Sequence, residues 1–92
     1  MYKVIQTSRF RKEYKLMKKR GLDVSLLKAV VKKLEMGEKL PQELKDHSLN
    51  GNFKGYRECH IQNDWLLIYK YDHGRLILSL EHTGTHSDLF NE

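Results

Sequence analysis

The feature that most constrains this chain is a change of hydrophobic period near residue 40. Before it, apolar residues recur at helical spacing; after it they alternate or run on, as in strands. Lys3-Val4-Ile5-Gln6-Thr7 reads as a short opening strand. Ser8 is the expected N-cap of a helix over about 9–20, where Phe10, Tyr14 and Met17 recur at i, i+4, i+7. The opposite face of that helix carries Arg11, Lys12, Lys15, Lys18 and Lys19, and Gly21 stops it. Asp23 caps a second helix over about 24–36 with Val24, Leu27, Val30, Val31 and Leu34 on one face, ended by Gly37.

Residues 38–52 form a polar connection with Pro41 and an Asn50-Gly51 turn signal. Phe53 to Ile61, Trp65 to Tyr71 and Arg75 to His82 then read as three strands. Asp72-His73-Gly74 joins the last two, with Gly74 free to take positive φ. The order β-α-α-β-β-β predicts an α+β domain spanning 1–92, its two N-terminal helices packed on one face of a small, largely antiparallel sheet. The other face is left uncovered, and a site belongs there. Alternation puts Tyr56, Glu58 and His60 on one side of their strand and Arg57, Cys59 and Ile61 on the other. Leu76, Leu78 and Leu80 fall on the core side of the last strand.

At 92 residues there is room for one core only. The balance of 39% hydrophobic and 32% charged residues excludes a disordered chain, and no apolar run reaches the length of a membrane span. The opening Met1-Tyr2-Lys3-Val4 is too polar for a secretory signal, and the lone Cys59 fits a reducing cytosol, so a cytoplasmic protein is expected. The net charge of +5 is uneven. Residues 1–40 hold 12 Lys/Arg against 4 Asp/Glu, and residues 41–92 hold 5 against 8. The basic excess of the first half is placed to attract a polyanion.

The chemistry lies in the second half. His73 belongs to a turn, but His47, His60, His82 and His86 fall near strand ends and loops, beside Asp64, Glu58 and Arg57. A zinc site is the first option to test. His82 and His86 have helical ligand spacing, yet they flank Thr83-Gly84-Thr85 after a strand, where four residues span about 13 Å. With no second cysteine, no metal and no cofactor are expected. Metal-free cleavage of RNA is the second option, since histidine can give or take a proton near neutrality. Lys54 and Arg57 could meet phosphate, and Trp65 and Phe90 could stack on bases.

The order of these residues is more specific than their inventory. Lys45-Asp46-His47-Ser48-Leu49-Asn50-Gly51 is followed by Gly55-Tyr56-Arg57-Glu58-Cys59-His60. After it come Asp64-Trp65-Leu66-Leu67-Ile68-Tyr69 and Thr83-Gly84-Thr85-His86-Ser87-Asp88-Leu89-Phe90. Over nearly its whole length the chain resembles the YafQ-type mRNA interferase toxins of the RelE/ParE toxin–antitoxin superfamily.

That resemblance implies a RelE-like fold and a type II toxin that cuts messenger RNA in the A site of the 70S ribosome. It also implies silencing by a cognate antitoxin, through which the pair reaches operator DNA. It places catalytic residues at His47, His60, Asp64 and His86. The family's substrate-orienting aromatics fall at Trp65 and Phe90, and residue chemistry adds Lys54, Arg57, Glu58 and His82 as expected substrate contacts. His82 stands where the family often has an arginine, so Arg57 or a protonated His82 is expected to meet the phosphate. A ParE-like gyrase inhibitor and a non-catalytic RNA-binding module are the alternatives, and the former needs no histidine cluster.

Overall fold

The computed structural model describes residues 1–90. Strand β1 (Lys3–Gln6) leads into helix α1 (Ser8–Lys19), then helix α2 (Val24–Glu35). A one-turn 3-10 segment at Gln42–Leu44 precedes β2 (His47–Ser48), and a second at Gly51–Phe53 precedes β3 (Arg57–Gln62). β4 (Trp65–Asp72), β5 (Ile77–Gly84) and a short helix α3 (His86–Phe90) complete the chain. The sheet order is β1-β5-β4-β3-β2, antiparallel except for the β1–β5 pair. The expected β-α-α-β-β-β order holds, with β2 and α3 as additions.

Both helices lie on one face of the sheet. Phe10 and Met17 of α1 and Leu27, Val30 and Leu34 of α2 meet Cys59, Ile61, Trp65, Leu67, Tyr69, Leu78 and Leu80 in a single core. The helix stops fall where the glycines predict, but the first cap is Thr7 rather than Ser8. The Thr7 hydroxyl accepts the Phe10 N–H at 3.0 Å, while Ser8 is already helical. Asp23 caps α2 as expected, accepting the Ser25 N–H at 3.0 Å.

Two strand starts differ from expectation. Phe53 belongs to a 3-10 turn, so β3 begins four residues later, at Arg57. The β4–β5 turn runs over His73–Leu76 and moves the start of β5 to Ile77. Asp72 braces that turn by accepting the Arg75 N–H. The positive φ falls on Leu76 (56°) rather than Gly74, and Leu76 is 52% exposed rather than core. Its backbone carbonyl is used instead, accepting the Lys3 N–H at 2.8 Å.

The second face is not bare. Leu66 and Ile68 are fully buried on it, and Phe53 there meets the rings of Tyr56, His82 and Phe90 edge to face. A bulge in β5 shapes this end of the sheet. Ile68 pairs with His82 but Tyr69 pairs with Leu80, so Glu81 is the extra residue. The phase change keeps Leu78 and Leu80 in the core, turns His82 to the second face and returns Thr83 to the core. Without it His82 would point among the apolar side chains.

Candidate active site

Register brings the strand-borne part of the site together. His47, Glu58, Ile68 and His82 form one row across β2, β3, β4 and β5, and His60 stands in the next row beside Leu66 and Gly84. The β3–β4 connection is a two-residue turn with Asn63 in left-handed geometry (φ 46°), and it carries Asp64. Asp64 reaches across to the start of α3. Its Oδ1 accepts the His86 backbone N–H at 3.2 Å and the His86 Nδ1–H at 2.5 Å. These bonds to His86 hold the Asp64 carboxyl below the usual carboxylate range. The His60 and His86 rings lie 5.8 Å apart.

The segment Thr83-Gly84-Thr85-His86 has a physical reading at each position. Thr83 is buried and accepts the Trp65 indole N–H at 2.9 Å. Gly84 lets α3 approach, since a Cβ there would stand 3.0 Å from Asp88 Cβ. Thr85 and Asp88 form a reciprocal capping box. The Thr85 hydroxyl accepts the Asp88 N–H at 3.0 Å, and the Asp88 carboxylate accepts the Thr85 N–H at 2.9 Å. Arg20, at the end of α1, makes a bidentate pair with the same carboxylate at 2.7 and 3.0 Å. His86 is therefore the first residue of a capped helix tied to α1, not part of a loose tail.

The three expected catalytic histidines share one tautomer. Nδ1–H of His47 donates to the Lys45 carbonyl at 2.7 Å, that of His60 to the Asn63 carbonyl at 3.3 Å, and that of His86 to Asp64. Each acceptor lacks a proton, so Nδ1 is the donor in every case and Nε2 is left for chemistry. Nε2 of His47 lies 3.4 Å from Glu58 Oε1, and Nε2 of His60 lies 3.8 Å from the same oxygen. Two ring nitrogens thus converge on one carboxylate.

The substrate-contact expectations fare unevenly. Glu58 is only 4% exposed and bridges two histidines, so it orients them rather than facing solvent. Trp65 is 3% exposed and packed in the core with its N–H satisfied, so no ring face is open for a base. Its start-of-strand position is what buries it. Arg57 lies on the opposite face, as alternation requires, with its guanidinium on Asp46 at 3.1 Å. It cannot replace a phosphate-binding arginine beside the histidines. His82 does face the site, but its Nδ1 lies 3.3 Å from both oxygens of Glu13. Phe90 is half-buried against Phe53 at 5.3 Å, and Lys54 is exposed on the same loop. Arg11, Lys12, Lys15, Lys18 and Lys19 are all exposed on α1.

Sequence reasoning also missed Glu13 and Asp88. Glu13 closes the free edge of β5, accepting the Thr83 N–H at 3.2 Å. The available signal was that it is the only acid in the strongly basic 8–19 segment. For Asp88 the signal was the Thr-x-x-Asp spacing. No metal was expected from the sequence, yet the fold does assemble a set of possible ligands. One donor atom each from Glu58, His60 and His86 lies within 4.8 Å of the others. Spacing along the chain could not show it, because the triad is assembled from β3 and α3.

Comparison with known proteins shows the family. Residues 2–91 match the family described as bacterial toxin of type II toxin-antitoxin system, YafQ. The mRNA interferase toxin YafQ of Escherichia coli K12 is 41% identical over 85 residues, covering 91% of this chain and 90% of that protein. The crystal structure of the E. coli DinJ–YafQ complex superposes with a TM-score of 0.87 at 38% identity, covering 98% of this chain and 99% of that one. A metal-bound toxin from Helicobacter pylori superposes at 0.92 with 38% identity, over 98% of this chain and all of that one. The chain belongs to the YafQ family of type II toxin–antitoxin toxins.

Proposed function

We propose that this toxin is an endoribonuclease that cuts messenger RNA in the ribosomal A site by acid–base catalysis. The observation that carries the reading is the common tautomer of His47, His60 and His86, which points three Nε2 atoms away from their anchors and two of them at Glu58. The name of the E. coli relative, an mRNA interferase, supports the substrate class.

In the proposed step the 2′-hydroxyl attacks the adjacent phosphorus. A neutral Nε2 takes the hydroxyl proton as the 2′-O–P bond forms. A protonated Nε2 gives its proton to the 5′-oxygen as the P–O5′ bond breaks. The products are a 2′,3′-cyclic phosphate and a 5′-hydroxyl. His86 and His47 are assigned to these transfers, with Asp64 fixing the first ring and Glu58 and His60 adjusting the proton supply. Each transfer contributes about 10²–10⁴-fold. A translation extract with primer extension tests the reading: cuts within codons that disappear with His86→Ala uphold it. Intact RNA with failed DNA supercoiling would instead indicate gyrase inhibition.

The exposed lysines of α1 are proposed to meet ribosomal or messenger RNA phosphate. A cognate antitoxin is proposed as the silencing partner and as the link to operator DNA; the solved E. coli DinJ–YafQ toxin–antitoxin complex supports a protein partner.

A second reading concerns metal. Glu58, His60 and His86 offer a two-imidazole, one-carboxylate set suited to a borderline divalent ion such as copper or zinc. The metal-bound relative from H. pylori gives this weight. Such an ion would take the Nε2 lone pairs on which proton transfer depends, so we propose that occupation of the triad blocks cutting.

A further inference from the structure

Arg57 points away from the histidines, and its charge needs another explanation. On the core-side face Arg57 is paired in register with Tyr69, and both converge on Asp46. The Tyr69 hydroxyl donates to Asp46 Oδ1 at 2.5 Å. The Arg57 guanidinium donates from Nε at 3.4 Å and from the terminal nitrogen to Oδ2 at 3.1 Å. Tyr69 is almost fully buried, whereas the Asp46 and Arg57 side chains are 24% and 39% exposed. A carboxylate drawn onto a core tyrosine gives up hydration, and three hydrogen bonds from two donors offset that loss.

What this triad holds is the segment before His47. β2 has only two residues, at the outer edge of the sheet, paired with Arg57 and Glu58. So short an edge strand is weakly fixed by its ladder alone. Alternation sends Asp46 to one face and His47 to the other, so fixing the Asp46 carboxylate fixes the peptide from which the imidazole projects. Two further anchors serve the same residue. Lys45, in left-handed geometry at φ 50°, turns its carbonyl onto His47 Nδ1, and Leu49 N–H bonds the Tyr56 carbonyl at 2.9 Å.

We propose that Asp46, Arg57 and Tyr69 are positioning residues that act on the reaction through His47, from the face of the sheet opposite the histidines. This rests on the assignment of His47 to proton transfer. A displacement of about 1 Å at a reacting group can cost about 10²-fold in rate, so loosening the segment should slow cutting without weakening RNA binding.

The test compares Asp46→Asn, Arg57→Lys and Tyr69→Phe with His47→Ala in single-turnover cutting on programmed ribosomes. Ribosome affinity and the imidazole NMR signals of each folded toxin are measured alongside. Expected is a drop of about 10- to 10²-fold in rate for Asp46→Asn and Tyr69→Phe, with affinity unchanged and the shifted signals confined to His47. Arg57→Lys, which keeps the charge and can keep one bond, should recover part of the rate. Tyr69→Phe combined with Asp46→Asn should lose no more than Asp46→Asn alone, because both act on one linkage. Unchanged His47 signals, or equal changes at His47, His60 and His86, would overturn the positioning role whatever the rates. Full cutting by His47→Ala would remove the assignment on which the rate arm rests, while the NMR arm would still decide whether the triad holds His47.

Discussion

The histidine end of the sheet holds the groups assigned to chemistry and the outer face of α1 those assigned to RNA contact, and the two are built in opposite ways. At the sheet end nearly every polar group has a designated partner: His86 with Asp64, His47 with Lys45 and Glu58, His82 with Glu13, Thr85 with Asp88. On α1, Arg11, Lys12, Lys15, Lys18 and Lys19 are exposed and, among the described residues, enter no ion pair. Fixed groups can select a proton-transfer geometry, and unfixed lysines can follow a phosphate backbone of any sequence. Besides Glu13 of α1, which faces His82 and Thr83, the regions meet where Arg20 at the end of α1 clamps Asp88 beside His86. Mutation should therefore separate chemistry from placement, except at that junction.

The largest effect should come from His86→Ala. It removes a ring bonded to Asp64 but no core side chain, so cutting should fall about 10²–10⁴-fold while the thermal midpoint barely moves. Full cutting by the folded variant in the translation extract would contradict the assignment. Next is reversal of Lys12, Lys15, Lys18 and Lys19 to Glu. Ribosome association should weaken, and its log–log salt dependence should flatten by about 0.7–0.9 for each phosphate that is no longer neutralised. Turnover of the fraction still bound should be unchanged. An unaltered salt series would leave these lysines as a solvated face or an antitoxin surface.

The junction gives the smallest effect. Hydrogen bonds from Arg20 and then from the Thr85 N–H hold the Asp88 carboxyl well below its ordinary range. In the unfolded chain that group titrates near about 3.9. A depressed folded value means the contribution is fully present above about pH 4 and is lost as pH falls toward the folded value. Water screens this half-exposed pair, so about 1 kcal/mol at most is at stake. Denaturant melts from pH 7 to pH 3 should show a shallower acid loss for Asp88→Asn than for the wild type. Parallel curves would mean the pair contributes nothing.

Much of this contrast was legible in the sequence because periodicity reports faces. Phe10 and Met17 against the lysines of α1, and Cys59 and Ile61 against Glu58 and His60, fell where alternation put them. Less legible were features that depend on a break in period. The bulge at Glu81 changes the phase of β5, and the Leu76 turn moves its start, so neither the environment of His82 nor the exposure of Leu76 could be read by counting. Trp65 and Arg57 show a second limit. Residue type allows stacking or phosphate binding, but a start-of-strand Trp is buried by its neighbours, and Arg57 has a nearer anion in Asp46. The Glu58-His60-His86 triad shows a third, since it joins residues 26 and 28 positions apart only through the docking of α3.

The most direct test of the central claim, that fixed histidines rather than a metal do the chemistry, is an analysis of product ends. Toxin is first stripped with EDTA, then desalted and added to intact ribosomes programmed with messenger RNA. Expected are undiminished cutting, fragments ending in 2′,3′-cyclic phosphate, and resistance of a message carrying 2′-deoxy at the cut position. Loading the Glu58-His60-His86 triad with copper or zinc should suppress that cutting. Fragments ending in 3′-hydroxyl, or activity that returns only when a metal is restored to the stripped toxin, would contradict that claim.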